Sequence, residues 1–462
     1  MLQRYIGDRA FYRRAITVAA PIILQNLITN FVAMLDNIMV GQLDTAQISA
    51  VTIVNNNLLF IFNLCMFGCA SCAGIYTTQF YGSGDQEGIR HTFRFKIYRC
   101  LLLTALAAGI FWFGADSLVG LYLQGEGDPA VAADTLFYSR QYLHIMLLGL
   151  VPFALTNAYA GTLRECGQPA VPMYAGFAAT LVNLVGNYIL IFGHFGAPAM
   201  GVAGAAIATV ISRYAELLIV VLWTHCNPEK NPYIRGIYRS FRIRGKLLGS
   251  IILRGTPLLL NELLFSGGLA FLNQCYSLCG LDVVPALSIS STIYNLTAVV
   301  SRSLGATVGI IIGQLLGAAA PKEQVRAETR KLFALSIASG VVFGVITVAF
   351  AGVFPMIFNT TDQVRQLATL LILLSALFLP LQSYNLPAYF TLRSGGKTLL
   401  TFLYDSGSIW LLMVPLAFLL TRFTPLSIAP VFILVNSMEA VKCIIGAVLI
   451  RQGSWIQNLT VS

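Results

Sequence analysis

Charge is the scarcest thing in this sequence. Only 10% of its 462 residues are Asp, Glu, Lys or Arg, whereas a soluble domain carries about 25% because its surface must be wetted. That shortage excludes the two or three soluble domains its length would otherwise suggest. Histidine is also rare: His91, His144, His194 and His225 are scattered, and no pair has metal-ligand spacing. HExxH, GxSxG and clustered aspartates are absent too, so an enzyme active site has no constellation to build on, and no cofactor is implied. The 9 Cys residues form neither a metal nor a disulfide framework. Cys65, Cys69 and Cys72 share one helical face and read as small packing residues.

What is abundant is apolar sequence. Hydrophobic residues make up 57% of the chain, the mean hydropathy is +0.75, and 40 Gly residues would let membrane helices approach closely. Apolar stretches near or above the ~20 residues that cross the hydrocarbon recur along the whole chain. They lie at 15–39, 47–78, 100–123, 134–160, 172–193 and 200–223, and after a basic loop at 251–277, 284–313, 332–354, 367–391, 398–420 and 429–450. Arg4, Arg9, Arg13 and Arg14 precede a run too long for a signal-peptide core, so that run reads as the first span.

The net charge of +10 would suit a nucleic-acid partner if it formed a patch, but it is dispersed over short loops. With the N-terminus inside, the inner segments hold Arg90, Arg94, Lys96, Arg99, Arg164, Lys230, Arg235, Arg239, Arg242, Arg244, Lys246, Lys322, Arg326, Arg330, Lys331, Arg393, Lys397 and Arg451 beside the four N-terminal arginines. Only Arg365 and Arg422 fall in outer loops. That asymmetry predicts cytoplasmic termini at both ends, no nucleic-acid partner, and a multi-pass protein of the plasma or inner membrane.

The sequence also repeats. Pro21 and Pro257 open the first and seventh spans, and Leu43-Asp44 is matched by Leu281-Asp282. Gln79-Phe-Tyr-Gly82 is matched by Gln314-Leu-Leu-Gly317, and Arg164-Glu-Cys-Gly167 by Arg393-Ser-Gly-Gly396, in the same order and at similar spacing. The expected fold is therefore an all-α membrane protein with twelve transmembrane helices in two pseudo-symmetric six-helix lobes. The N-lobe covers 1–232 and the C-lobe 233–462. Six spans per half make the repeats parallel, as in other alternating-access transporters.

The stretch Pro21-IILQNLITNFVAML-Asp36-NIMV-Gly41-QLDTAQISAV is similar to the first-span signature of the multidrug and toxic compound extrusion (MATE) family. Asn183-LVG-Asn187-YILIFG followed by Gly201-VA-Gly204-AAIA-Thr209, the paired Gln-x-x-Gly motifs and the closing Ser454-Trp455-IQNLT resemble the same family. The resemblance spans the chain. It implies a V-shaped two-lobe transporter that expels small amphipathic, cationic compounds in exchange for H⁺ or Na⁺.

An ionised side chain in a span costs about 2.5–3.5 kcal/mol, so each one needs a reason. Arg140 and Arg254 can snorkel to an interface. Arg213 with Glu216, and Glu439 with Lys442, have the i, i+3 spacing of same-helix pairs. Asp36 has no basic residue within a helical turn. Low dielectric favours the neutral form of a carboxyl, so it could load and release a proton, or with oxygen ligands bind Na⁺. The resemblance makes Asp36 the coupling acid, with Asn183, Asn187 and Thr209 completing an ion site. Asn187 departs from the Asp of some members, which removes a negative charge. Phe265 stands where several members carry an acid on span seven, leaving Glu262 about one turn earlier as the second-lobe coupling candidate. Gln382 stands near another missing acid. Asp405, Arg302 and Trp410 are expected in a substrate cavity, Trp410 offering an aromatic face to a cation. Arg302 is expected to pair with Glu262 or Asp405.

The reading is a cation-coupled antiporter, acting as a monomer on a small-molecule substrate within the bilayer. The alternatives are a lipid-linked precursor flippase of the same superfamily and, from another class, a membrane enzyme.

Overall fold

The structure, a computed structural model, describes residues 5–123, 128–240 and 242–460. Arg4 and the side chain of Cys69, both used above, lie outside what is described. Every regular element among the described residues is helical. In chain order the helices are α1 (Arg9–Val40), α2 (Thr45–Ser83), α3 (Gln86–Gly120), α4 (the pair Pro129–Leu148 and Leu150–Glu165), α5 (Ala170–Phe192) and α6 (Val202–Cys226). There follow α7 (Gly245–Ser277), α8 (Val283–Gly317), α9 (Lys322–Phe350), α10 (Asp362–Ser394), α11 (Thr398–Phe423) and α12 (Ile428–Gln452). By length and apolarity 11 of these qualify as spans, or 12 when the two halves of α4, bent by 45° at Gly149, count as one. Helices are what hydrocarbon allows, since each satisfies its own backbone N–H and C=O groups.

The ends are set by local chemistry. The Asp85 carboxylate accepts from Gly88 N at 2.9 Å to cap α3, and Asp128 accepts from Ala130 N at 2.9 Å to cap α4, with Pro129 in the first turn. Pro21 and Pro257 do not open their helices: α1 and α7 each begin about three turns earlier. Polar and charged residues before the apolar runs continue the helices beyond the hydrophobic stretch. Three π-helical segments interrupt the regular ladder, Val54–Leu59 in α2 and Leu403–Gly407 and Ile409–Met413 in α11.

The chain forms two compact units. One comprises Met1–Ile23, Thr78–Gly84 and Ile251–Ser462, and the other Leu24–Thr77 and Asp85–Ser250. In the first unit Phe11 and Ala15 of α1 join a buried cluster with Val308, Ile312 and Leu316 of α8, Leu332 of α9, Leu392 of α10 and Trp455. A second cluster gathers Leu272 and Tyr276 of α7, Ile289 of α8, Leu371 of α10, Met413 of α11 and Val435 of α12.

The repeated Gln-x-x-Gly motif explains itself here. The ends of α2 and α8 cross backbone to backbone: a Cβ added at Gly82 would strike the Gln314 carbonyl, and one at Gly317 the Gln79 carbonyl. Gln79 then ties down the C-terminal segment. Its Nε2 donates to Ser394 O at 2.8 Å and Gln457 O at 3.2 Å, and its Oε1 accepts from Leu459 N at 2.6 Å. Asn458 Nδ2 donates to Gly317 O at 3.3 Å, and Trp455, fully buried, donates its indole N–H to Ile450 O at 3.0 Å.

In the second unit the basic residues at the start of α3 act as anchors. Arg90 donates to Tyr233 O at 3.1 Å, and Arg94 to Ile237 O at 2.9 Å and Arg242 O at 3.1 Å, fixing the connection that follows α6. Lys96 is buried, pairs with Glu165 and donates to Thr162 Oγ1 at 3.1 Å.

Replacing Gly317 with Ala pushes a methyl group into backbone that has no rotamer to yield. The expected loss is about 1–3 kcal/mol, the usual cost of overpacking, read as a lower melting temperature of the purified protein. Ala at Gly109, where nothing lies within 4 Å, should leave that temperature unchanged.

Candidate functional site

The second unit gathers the polar residues singled out around Asp36. A glycine on each helix lets α5 and α6 approach closely: a Cβ at Gly204 would strike the Leu190 carbonyl, and one at Gly186 would sit 2.9 Å from Ala208 Cβ. That approach puts Asn183 and Asn187, one turn apart on α5, beside Thr209 on α6. Asn183 is 5% exposed and Asn187 2%. Asn187 Nδ2 donates to Asp36 Oδ1 at 2.7 Å. With its amide turned so that Nδ2 faces the acid, Asn183 donates to both Asp36 oxygens at 2.9 and 3.0 Å and accepts from Thr209 Oγ1 at 3.2 Å. Asp36, Asn183, Asn187 and Thr209 thus form one cluster.

Its electrostatics are unusual for a span. Asp36 has no ion-pair partner among the described residues. Its partners are neutral amides, and Asn187 Oδ1 is buried without a hydrogen-bond partner among the described residues. Close by in sequence, the π segment of α2 turns Asn55 so that its Nδ2 donates to Tyr142 OH at 3.0 Å.

The other unit holds the remaining candidates, and pairing there differs from expectation. Lys442 does not pair with Glu439 one turn away. Its Nζ lies 2.7 Å from Asp405 Oδ1, because the π segment Leu403–Gly407 delivers Asp405 to α12. Asn261, 1% exposed on α7, donates from Nδ2 to Asp405 Oδ2 at 3.0 Å. The same side chain accepts from Ser406 N at 3.2 Å and Ser406 Oγ at 2.7 Å, locking α11 against α7. Glu439 instead accepts from Asn385 Nδ2 at 2.6 Å, and Tyr404 donates to Asn385 Oδ1 at 2.8 Å. Glu262 accepts from Tyr389 OH at 3.4 Å.

Arg302 pairs with neither Glu262 nor Asp405. It is exposed and donates from Nη2 to Asn295 Oδ1 at 3.2 Å, on its own helix. Helix phase explains this: the neighbouring Ser301 and Ser303 turn inward while Arg302 points out of the packed core. Arg213 likewise does not pair with Glu216 among the described residues. Its guanidinium donates to Gly149 O at 3.3 Å, at the bend of α4, and lies over Phe153 at 4.9 Å. Arg140, on the first half of α4, is exposed and pairs with Asp116 at 3.5 Å. Trp410 donates its indole N–H to Leu264 O at 2.8 Å and lies 6.1 Å from the Phe271 ring, so one edge is committed to α7. Tyr294 donates to Gln382, the neutral residue standing near a missing acid. No group of three or more His, Cys, Asp or Glu residues able to hold a metal occurs among the described residues.

Asn261, Asn385, Tyr404 and Tyr389 were not singled out from sequence. The available signal was weak but real: polar side chains in the middle of apolar runs must find partners. Double-mutant cycles on thermal stability should separate the two pairings. Asp405→Asn with Lys442→Met should show a coupling of about 0.5–3 kcal/mol, while Glu262→Gln with Arg302→Ala should add to within about 0.5 kcal/mol.

Comparison with known proteins gives the context. The MatE family model matches two segments, residues 21–189 and 257–419. The probable multidrug resistance protein NorM of Thermotoga maritima is 23% identical over 422 residues, 90% of this chain and 87% of that one. The multidrug resistance protein PmpM of Pseudomonas aeruginosa is 25% identical over 426 residues, 90% and 85% of the two chains. Among solved structures, an outward-facing multidrug resistance MATE family transporter of the MOP superfamily superposes with a TM-score of 0.84 at 20% identity, covering 98% of each chain. A MOP superfamily transporter from Pyrococcus furiosus, whose structure is titled for the reverse polarity of its binding pocket, gives 0.81 at 18% identity over 98% of each chain. With its family model matched over most of its length and its helices arranged as in solved members, this chain belongs to the MatE family, the multidrug and toxic compound extrusion transporters, and is not an enzyme.

Proposed function

We propose that this transporter exports small amphipathic cations by alternating access, in exchange for H⁺ or Na⁺ taken up at Asp36. The observation that carries the reading is the pairing of Asp36 with neutral amides alone, inside a membrane helix. A carboxylate in hydrocarbon is costly unless a cation neutralises it. Here the site supplies donors and a spare buried oxygen, so neutralisation falls to a proton or a small hard cation. Occupancy of Asp36 then differs in energy between the inward- and outward-open states, and that difference links ion entry to substrate exit. The multidrug resistance names of its relatives support an amphipathic substrate of variable shape. The loop distribution of Lys and Arg supports cytoplasmic termini in a plasma or inner membrane, and the protein is taken to act as a monomer.

Proteoliposomes loaded with ethidium test this. An imposed proton or Na⁺ gradient should drive efflux by the wild type, and the gradient that works identifies the ion. Asp36→Asn should insert and fold normally but export no faster than protein-free liposomes. Gradient-driven efflux at the wild-type rate in that variant would remove Asp36 from the mechanism.

A further inference from the structure

The two repeats carry polar clusters on corresponding helices. In the first, the acid Asp36 stands on α1, the amides Asn183 and Asn187 on α5 and the hydroxyl of Thr209 on α6. In the second, the amide Asn261 stands on α7, the acid Asp405 on α11 and the amine Lys442 on α12. Acid and amide have exchanged helices, and the cluster lies mid-way along α7 where Asp36 lies toward the end of α1. The difference that matters is on the third helix, where a neutral hydroxyl is replaced by an ammonium group.

We propose that Lys442 is a tethered cation that neutralises Asp405 permanently, so that Asp405, unlike Asp36, binds no exchangeable ion. The proposal rests on the coupling role given to Asp36 above. Both Asp405 oxygens are filled, Oδ1 by Lys442 Nζ at 2.7 Å and Oδ2 by Asn261 Nδ2 at 3.0 Å. The pair is shielded, with side chains 9% and 15% exposed. The ammonium is also flanked by the rings of Tyr404 at 5.2 Å and Phe265 at 6.0 Å, which favour a cation at that point.

The other titratable and charged groups facing the pair are Glu262 on α7, Tyr294 on α8, Tyr389 and Arg393 on α10, Tyr404 on α11, and Glu439 and Cys443 on α12. Glu439 is held by Asn385, and Glu262 is hydrogen-bonded to Tyr389. Neither comes within ion-pair distance of Lys442. Without the amine, Asp405 would keep its amide partner and lose its ion-pair partner, which is the condition of Asp36. Lys442 thereby removes Asp405 from the set of acids that a mobile ion must neutralise.

The test counts cations on purified, full-length protein, using ²²Na⁺ binding and proton uptake by potentiometric titration as the two probes. Counts are compared between variants at one pH. Asp36→Asn should take up one cation fewer than wild type. Lys442→Met should take up one more, Asp36→Asn with Lys442→Met the same number as wild type, and adding Asp405→Asn to that pair should remove one again. Lys442→Gln, which keeps a donor beside Asp405 without its charge, serves if the Met variant fails to fold and should behave alike. Should folded Lys442→Met and Lys442→Gln proteins in the Asp36→Asn background bind no more than Asp36→Asn itself, the tethered-cation role is overturned. An unchanged count in Asp36→Asn with Lys442 intact would instead overturn the Asp36 reading. The comparison of Lys442→Met with and without Asp405→Asn would then judge Lys442 independently.

Discussion

A charge inside hydrocarbon must be neutralised by something, and the choice of what neutralises it organises this protein. Where the answer is another side chain, the result is a fixed strut, as at Lys442–Asp405. Where it is an aromatic face and a backbone carbonyl, as at Arg213, the charge braces a bend. Among the described acids within the first repeat's spans, Asp36 alone has only neutral donors around it. In the mechanism proposed above, driving force and rigidity are two outcomes of the same electrostatic penalty.

The helical scaffold serves that distinction through close approach. α5 and α6 meet where small residues face each other, and the amides and hydroxyl beside Asp36 are brought within hydrogen-bonding distance of one another. On α11 a different device is used. A π segment rotates the acid out of regular phase, and a buried asparagine on α7 binds the backbone and hydroxyl that follow it. Both devices spend regular packing or regular backbone to aim one polar group, as expected where position matters more than local stability.

Most of the fold could be read from sequence because hydropathy in a membrane is a nearly complete instruction. Apolar runs of sufficient length must be helices, and every expected span has one. The first-repeat cluster was legible for a related reason: Asp36, Asn183, Asn187 and Thr209 are polar residues in apolar surroundings, and i, i+4 spacing put both amides on one face. Partners across helices were not legible. Glu439 and Lys442 satisfy the spacing rule for a same-helix pair, yet stronger partners on α10 and α11 win. Arg302 was assigned a carboxylate because its depth was visible, but its direction depended on helix phase. The prolines misled for the opposite reason, since helices here extend past the apolar run in which prolines were counted.

The crossing of α2 and α8 has a consequence for biosynthesis. The opening part of α1 and the closing turn of α2 belong to the same compact unit as the C-terminal half of the chain. These early segments leave the ribosome long before Gln314, Gly317 and Trp455 exist to receive them. Through most of translation Phe11, Ala15 and the Gln79–Gly82 turn must wait inserted but unpacked until the segment from Trp455 to Leu459 arrives to latch them. A change in that segment therefore bears on the folding of α1, although about 440 residues separate the two.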